Sequence, residues 1–121
     1  NKKVIKPRYK TAGDIHHQYS IVLSTLIHHC HLDPSTAKRA FSRGATTVGL
    51  YNSKLLSKND YTMKEFRDGV KAMAECYPLL KARLLKGLTN VVEFDKEITP
   101  LENEIITTIA AIMDCPLPRT W

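Results

Sequence analysis

The residues best equipped for chemistry stand together in Ile27-His28-His29-Cys30-His31, where His28 and His31 are three apart, a thiol lies between them, and His17 sits three turns back on a similar face. Zinc would accept imidazoles at that spacing. The HExxH pairing of a catalytic zinc helix is absent, however, and helical geometry turns His28 and His31 roughly 200° and 140° away from the apolar Leu26, toward solvent. They read as a polar face and last turn, where histidine complements the negative end of the helix dipole. A second cluster is acidic. Counted from Glu93, carboxylates fall at positions 1, 3, 5 and 12 (Glu93, Asp95, Glu97, Glu104), the rhythm of a calcium loop. The sixth position must be glycine for the sharp turn, and here it is the β-branched Ile98. Thr99 and Pro100 also start a helix where the loop should still be coordinating, so the stretch reads as a capped, acidic helix start.

No GxSxG, phosphate-binding loop, dinucleotide fingerprint or cysteine-nucleophile signature is present, and the chain reads as one that binds or regulates rather than catalyses. Cys30, Cys76 and Cys115 are odd in number and far apart, which argues against a CxxC metal site and against a disulfide framework. As reduced thiols on or beside apolar stripes they act as small hydrophobes.

These groups are carried by 121 residues, of which 43% are hydrophobic and 25% charged, the composition of one ordinary globular domain. The net charge of +6 is uneven. Lys2, Lys3, Lys6, Arg8 and Lys10 lie in the first ten residues without an acid, so the other 111 sum to +1. Residues 32–86 hold eleven basic and five acidic side chains, and residues 87–121 two and six. The body is thus polarised from basic to acidic, behind a basic linker or tail at 1–12. No zinc-finger spacing, aromatic RNA-binding motif or basic zipper is present, which disfavours nucleic acid as a partner. No run approaches the roughly 20 apolar residues of a membrane span.

The periodicity predicts helices throughout. Ile15, Tyr19, Val22, Leu26 and Cys30 give an amphipathic helix over about 14–31. Asp33 and Pro34 cap and open a second, with Ala37, Ala40, Phe41 and Val48 inward and its end weakened by Gly44 and Gly49. After a connector at 51–61, Thr62 and Glu65 form a capping box for a third, with Phe66, Val70 and Met73 inward, stopping near Cys76. Pro78 opens a fourth on Leu80, Leu84, Leu88 and Val91, with Lys81, Arg83 and Lys86 off that face. Thr99, Pro100 and Glu102 open the fifth, whose stripe is Leu101, Ile105, Ile109, Ile112 and Met113, and Cys115-Pro-Leu-Pro ends it. Only the short Thr46–Tyr51 stretch offers any competing strand pattern. The fold class is all-α: a single compact bundle of about five helices over residues 13–118, with a C-terminal tail at 119–121.

The C-terminal half carries a resemblance. The runs YPLLKARLLKG from Tyr77, FDKEITPLENEII from Phe94 and IAAIMDCPLP from Ile109 are similar to the C-terminal helical region of bacterial membrane-bound zinc metalloproteases of the HtpX type, itself similar to the tellurite-resistance TerB domain. Lys96 stands where that family has glycine after the aspartate, a substitution that argues against a left-handed turn there. The resemblance implies a TerB-like, non-catalytic accessory domain facing the cytoplasm. Zinc, the HExxH protease domain and the membrane spans would lie outside these residues, before residue 1. Partners would then be the protease domain of the same chain, other proteins or a membrane surface. The residues expected to form the interaction surface are Asp95, Glu97, Glu102 and Glu104 on the acidic side and Lys81, Arg83 and Lys86 on the basic side. The alternative is a free-standing helical binder that uses its basic tail, with Lys38, Arg39 and Arg43, for nucleic acid or an anionic membrane.

Overall fold

A computed structural model describes residues 6–118. Five α-helices follow one another: α1 (His16–His28), α2 (Pro34–Thr47), α3 (Met63–Ala74), α4 (Pro78–Val92) and α5 (Pro100–Met113). The all-α expectation holds: among the described residues the one strand-like feature is an isolated parallel bridge between Tyr9 and Cys76. No helix among them is long and apolar enough to cross a membrane.

Every residue of α1 from Tyr19 to Ile27 is buried, so this helix forms the middle of the core. Its polar residues stay inside because each has a partner: Ser20 and Thr25 donate to the carbonyls of His16 and Ile21 at 2.8 Å, and the Ser24 hydroxyl accepts the Leu56 N–H at 3.0 Å. The helix is shorter than its periodicity predicts. The His29 and Cys30 amides bond three residues back, to Leu26 and Ile27, and His31 turns left-handed at φ 53°, closing the helix at His28.

The helix starts follow their caps. Asp33, Thr62 and Thr99 each accept a backbone N–H at the first turn, and Pro34, Pro78 and Pro100 each open a helix. Gly44, expected to weaken the end of α2, instead sets its packing together with Gly87 of α4. A Cβ on Gly44 would lie 2.8 Å from Val91 and 2.9 Å from Leu23, and one on Gly87 would lie 2.9 Å from the Gly44 carbonyl and against the Tyr19 hydroxyl. At this crossing α2 and α4 meet backbone to backbone. Tyr19 fills the space beneath and donates to the Leu84 carbonyl at 2.7 Å. Gly49, at φ 83°, supplies the turn that leaves α2.

Packing begins earlier than the expected boundary at residue 13. Arg8 N–H donates to Glu75 O at 2.6 Å, Tyr77 N–H donates to Tyr9 O at 2.9 Å, and Ala12 is buried in a 3₁₀ turn spanning Ala12–Ile15. Residues 8–12 therefore belong to the fold, held by a pairing with the α3–α4 junction that local pattern does not reveal. Residues 1–5 of the expected basic tail and 119–121 of the expected C-terminal tail lie outside the described residues.

Candidate interaction surfaces

The expected charged surface is divided. Arg83, Lys86, Asp95, Glu97 and Glu104 are exposed, but Glu102 is only 1% exposed and is corrected to a core residue. One Glu102 oxygen accepts the Thr99 N–H at 3.2 Å, completing the capping box, and the other accepts the Cys30 thiol at 3.2 Å. The thiol stays protonated well past the usual range, raised by burial and then by the bond to Glu102. Lys81 is half-buried, and its ammonium donates to the Met113 carbonyl at 2.9 Å, where α5 ends at left-handed Asp114. A cation there complements the negative end of the helix. Asp95 and Glu97 precede the other end of the 14-residue α5, about 20 Å from the carbonyl that Lys81 caps.

Between α4 and α5 the chain does turn left-handed at Lys96, φ 62°, despite the missing glycine. The Glu97 N–H donates to Asp95 Oδ1 at 3.1 Å within the turn, so Asp95 is engaged locally. Arg39 and Arg43, exposed on α2, place their guanidiniums 6.0 and 5.9 Å from the Phe94 ring and tie α2 to this turn.

The histidines serve local structure. His28, expected to face solvent, is half-buried because its Nε2 meets the Leu56 carbonyl at 2.8 Å, so that Ser24 and His28 together grip both polar groups of Leu56. His29 Nδ1 meets the Thr25 carbonyl at 2.8 Å, and His31 is exposed. No group of three or more His, Cys, Asp or Glu among the described residues is placed to hold a metal ion.

The surface that sequence reasoning missed is apolar. Helix α5 buries Glu102, Ile106, Ile109, Ala110 and Met113, a stripe turned about one residue from the expected one. Leu101 and Ile112 are thereby left 48% and 51% exposed. They join Ile105, also half-buried, and face Met63 (61% exposed), Phe66 and Val70 of α3 across a hollow of about 370 Å³ floored by Thr25 and Ile109, with Glu104 at its edge. The signal was present in the sequence. Leu101, Ile105 and Ile112 share one seam, interrupted by Thr108, beside a second with Ile106, Ile109 and Met113 after Glu102, so α5 is mainly apolar on two adjacent seams and only one can be inside.

Compared with models of known families, with curated proteins and with solved structures, the chain finds no match.

Proposed function

We propose that this chain is a non-catalytic interaction domain that takes an apolar segment in the groove between α3 and α5. The observation that carries the reading is the groove itself. Exposed Met63, Leu101 and Ile112 converge on one concavity, whereas isolated exposed apolar residues would need no explanation.

We further propose, on the resemblance, that the domain is TerB-like and serves as a cytoplasmic accessory part of a bacterial membrane-bound zinc metalloprotease of the HtpX type. The occupant of the groove is then an apolar segment of the protease part, and zinc belongs to that part alone. What supports this reading is the agreement between the quoted motifs and the element boundaries: a helix opening at Pro78, another opening at Pro100 behind the Thr99 cap, and a stop at Met113 before Cys115-Pro-Leu-Pro. The coding sequence upstream of Asn1 tests it. HExxH and apolar spans on the same polypeptide are the expected finding, and an initiating methionine immediately before Asn1 would overturn the assignment to a protease.

A further inference from the structure

A second surface is built by other elements and stands whether or not the groove takes a partner. Leu79, in the first turn of α4, is 88% exposed, the most exposed of the large apolar side chains among the described residues. It rims a hollow of about 350 Å³ that Lys10 and Arg83 also line, with Val48, Gly49 and Leu50 from the end of α2 opposite. Along α4, Leu79, Arg83 and Lys86 stand four and seven residues apart, all exposed, and so form one outward stripe. Tyr77, also exposed, lies at the same corner, with the Lys10 ammonium 5.6 Å from its ring.

The nearby acids are already engaged. Asp14 accepts the Lys10 and Thr11 amides at 3.3 and 3.2 Å, and Glu75 pairs with Arg8 at 3.5 Å. The corner therefore presents a protruding leucine and a tyrosine beside Lys10 and Arg83, with Lys86 further along the same stripe of α4 and no carboxylate lining the hollow.

We infer that this corner docks on the surface of an anionic lipid bilayer, Leu79 entering the headgroup boundary while Lys10, Arg83 and Lys86 meet the lipid phosphates. Charge complementarity selects a polyanion, and the leucine selects a bilayer over a nucleic acid. A nucleic-acid backbone offers nothing apolar to Leu79, whereas an interface receives leucine and tyrosine side chains together with cations. Lys38 and Lys54 line a hollow of their own, but its apolar residues, Phe41 and Leu55, are buried and half-buried rather than protruding.

The test is co-sedimentation of the 121-residue chain with vesicles of phosphatidylcholine alone and of phosphatidylcholine mixed with phosphatidylglycerol, at low and at physiological salt. Binding is expected only to the mixed vesicles and is expected to weaken with salt. Arg83→Glu and Lys86→Glu together, with the N-terminal lysines left in place, should weaken it at least 25-fold, on the order of fivefold for each cation removed. Leu79→Ser should weaken it about tenfold while the far-ultraviolet circular dichroism stays unchanged. Absence of binding, equal binding to neutral vesicles, or binding indifferent to Leu79→Ser would overturn the inference. Titration with single-stranded RNA is the remaining arm, and RNA binding of equal strength that ignores Leu79→Ser would assign the corner to nucleic acid instead.

Discussion

On one side of α1, α2 and α4 cross so closely that neither Gly44 nor Gly87 has room for a methyl group. On the other side, α3 seats closely on α1, where a Cβ on Gly69 would lie 2.9 Å from the Gln18 carbonyl, but a trough remains between α3 and α5. Both pairs carry ample apolar sequence, yet only the first is closed. The difference lies in where small residues fall. Glycine facing glycine brings two backbones together and seals the crossing, whereas the larger Phe66 and Ile105 line the hollow between α3 and α5. A closed crossing is a stability device. An open trough of apolar side chains gives up burial that a partner can restore.

The sharpest way to break that comparison is within α5 itself. Ile106→Ala, on the buried seam, should cost about 3 kcal/mol, because the atoms lost leave a cavity in a packed interior. Ile112→Ala, six residues along on the open seam, should cost no more than about 0.5 kcal/mol. Urea unfolding of the two variants measures both. Equal costs would mean that the trough is not open in solution.

The crossing is the next target. Gly87→Ala places a methyl against the Gly44 carbonyl, fixed in α2, and the Tyr19 hydroxyl, fixed by its bond to the Leu84 carbonyl, and should cost about 2 kcal/mol. A neutral result would show that α2 and α4 have slack, and the contrast with α3 and α5 would disappear.

Alkaline titration gives a smaller and graded effect. Burial pushes the Cys76 thiol up from 9.0 to about 12, against the opposing pull of Lys81, and burial raises Cys30 and Tyr19 as well. Above pH 9 the unfolded chain releases protons that the native chain keeps, so the stabilising contribution is complete below pH 9 and is lost as pH rises toward 12. Midpoints of urea unfolding should fall across that window, and Cys76→Ala should flatten the fall by about 1 kcal/mol per pH unit.

Much of this was legible beforehand. The caps at Asp33, Thr62 and Thr99 and the prolines after Asp33, Tyr77 and Thr99 fixed where four helices start, because capping is a local matter of one side chain and one amide. The rotation of α5 was not legible, since both seams are mainly apolar and the choice belongs to α3 and α4, the helices it packs against. Glu102 illustrates the same limit. A capping-box glutamate ordinarily faces water, and here the facing Cys30, 72 residues away in sequence, gives it a second partner and takes it inside. The joining of residues 8–12 to Glu75 and Tyr77 is equally non-local.

The central claim is that the open seam of α5 exists to receive a partner, and one measurement tests it most directly. The affinity of this domain for its proposed partner, an HtpX-type protease part supplied as a separate chain, is measured by titration calorimetry with the native domain and with Leu101→Asp combined with Ile112→Asp. The account predicts that the double variant keeps its thermal midpoint and loses binding by at least about 100-fold. A double variant that binds as well as the native domain would contradict it.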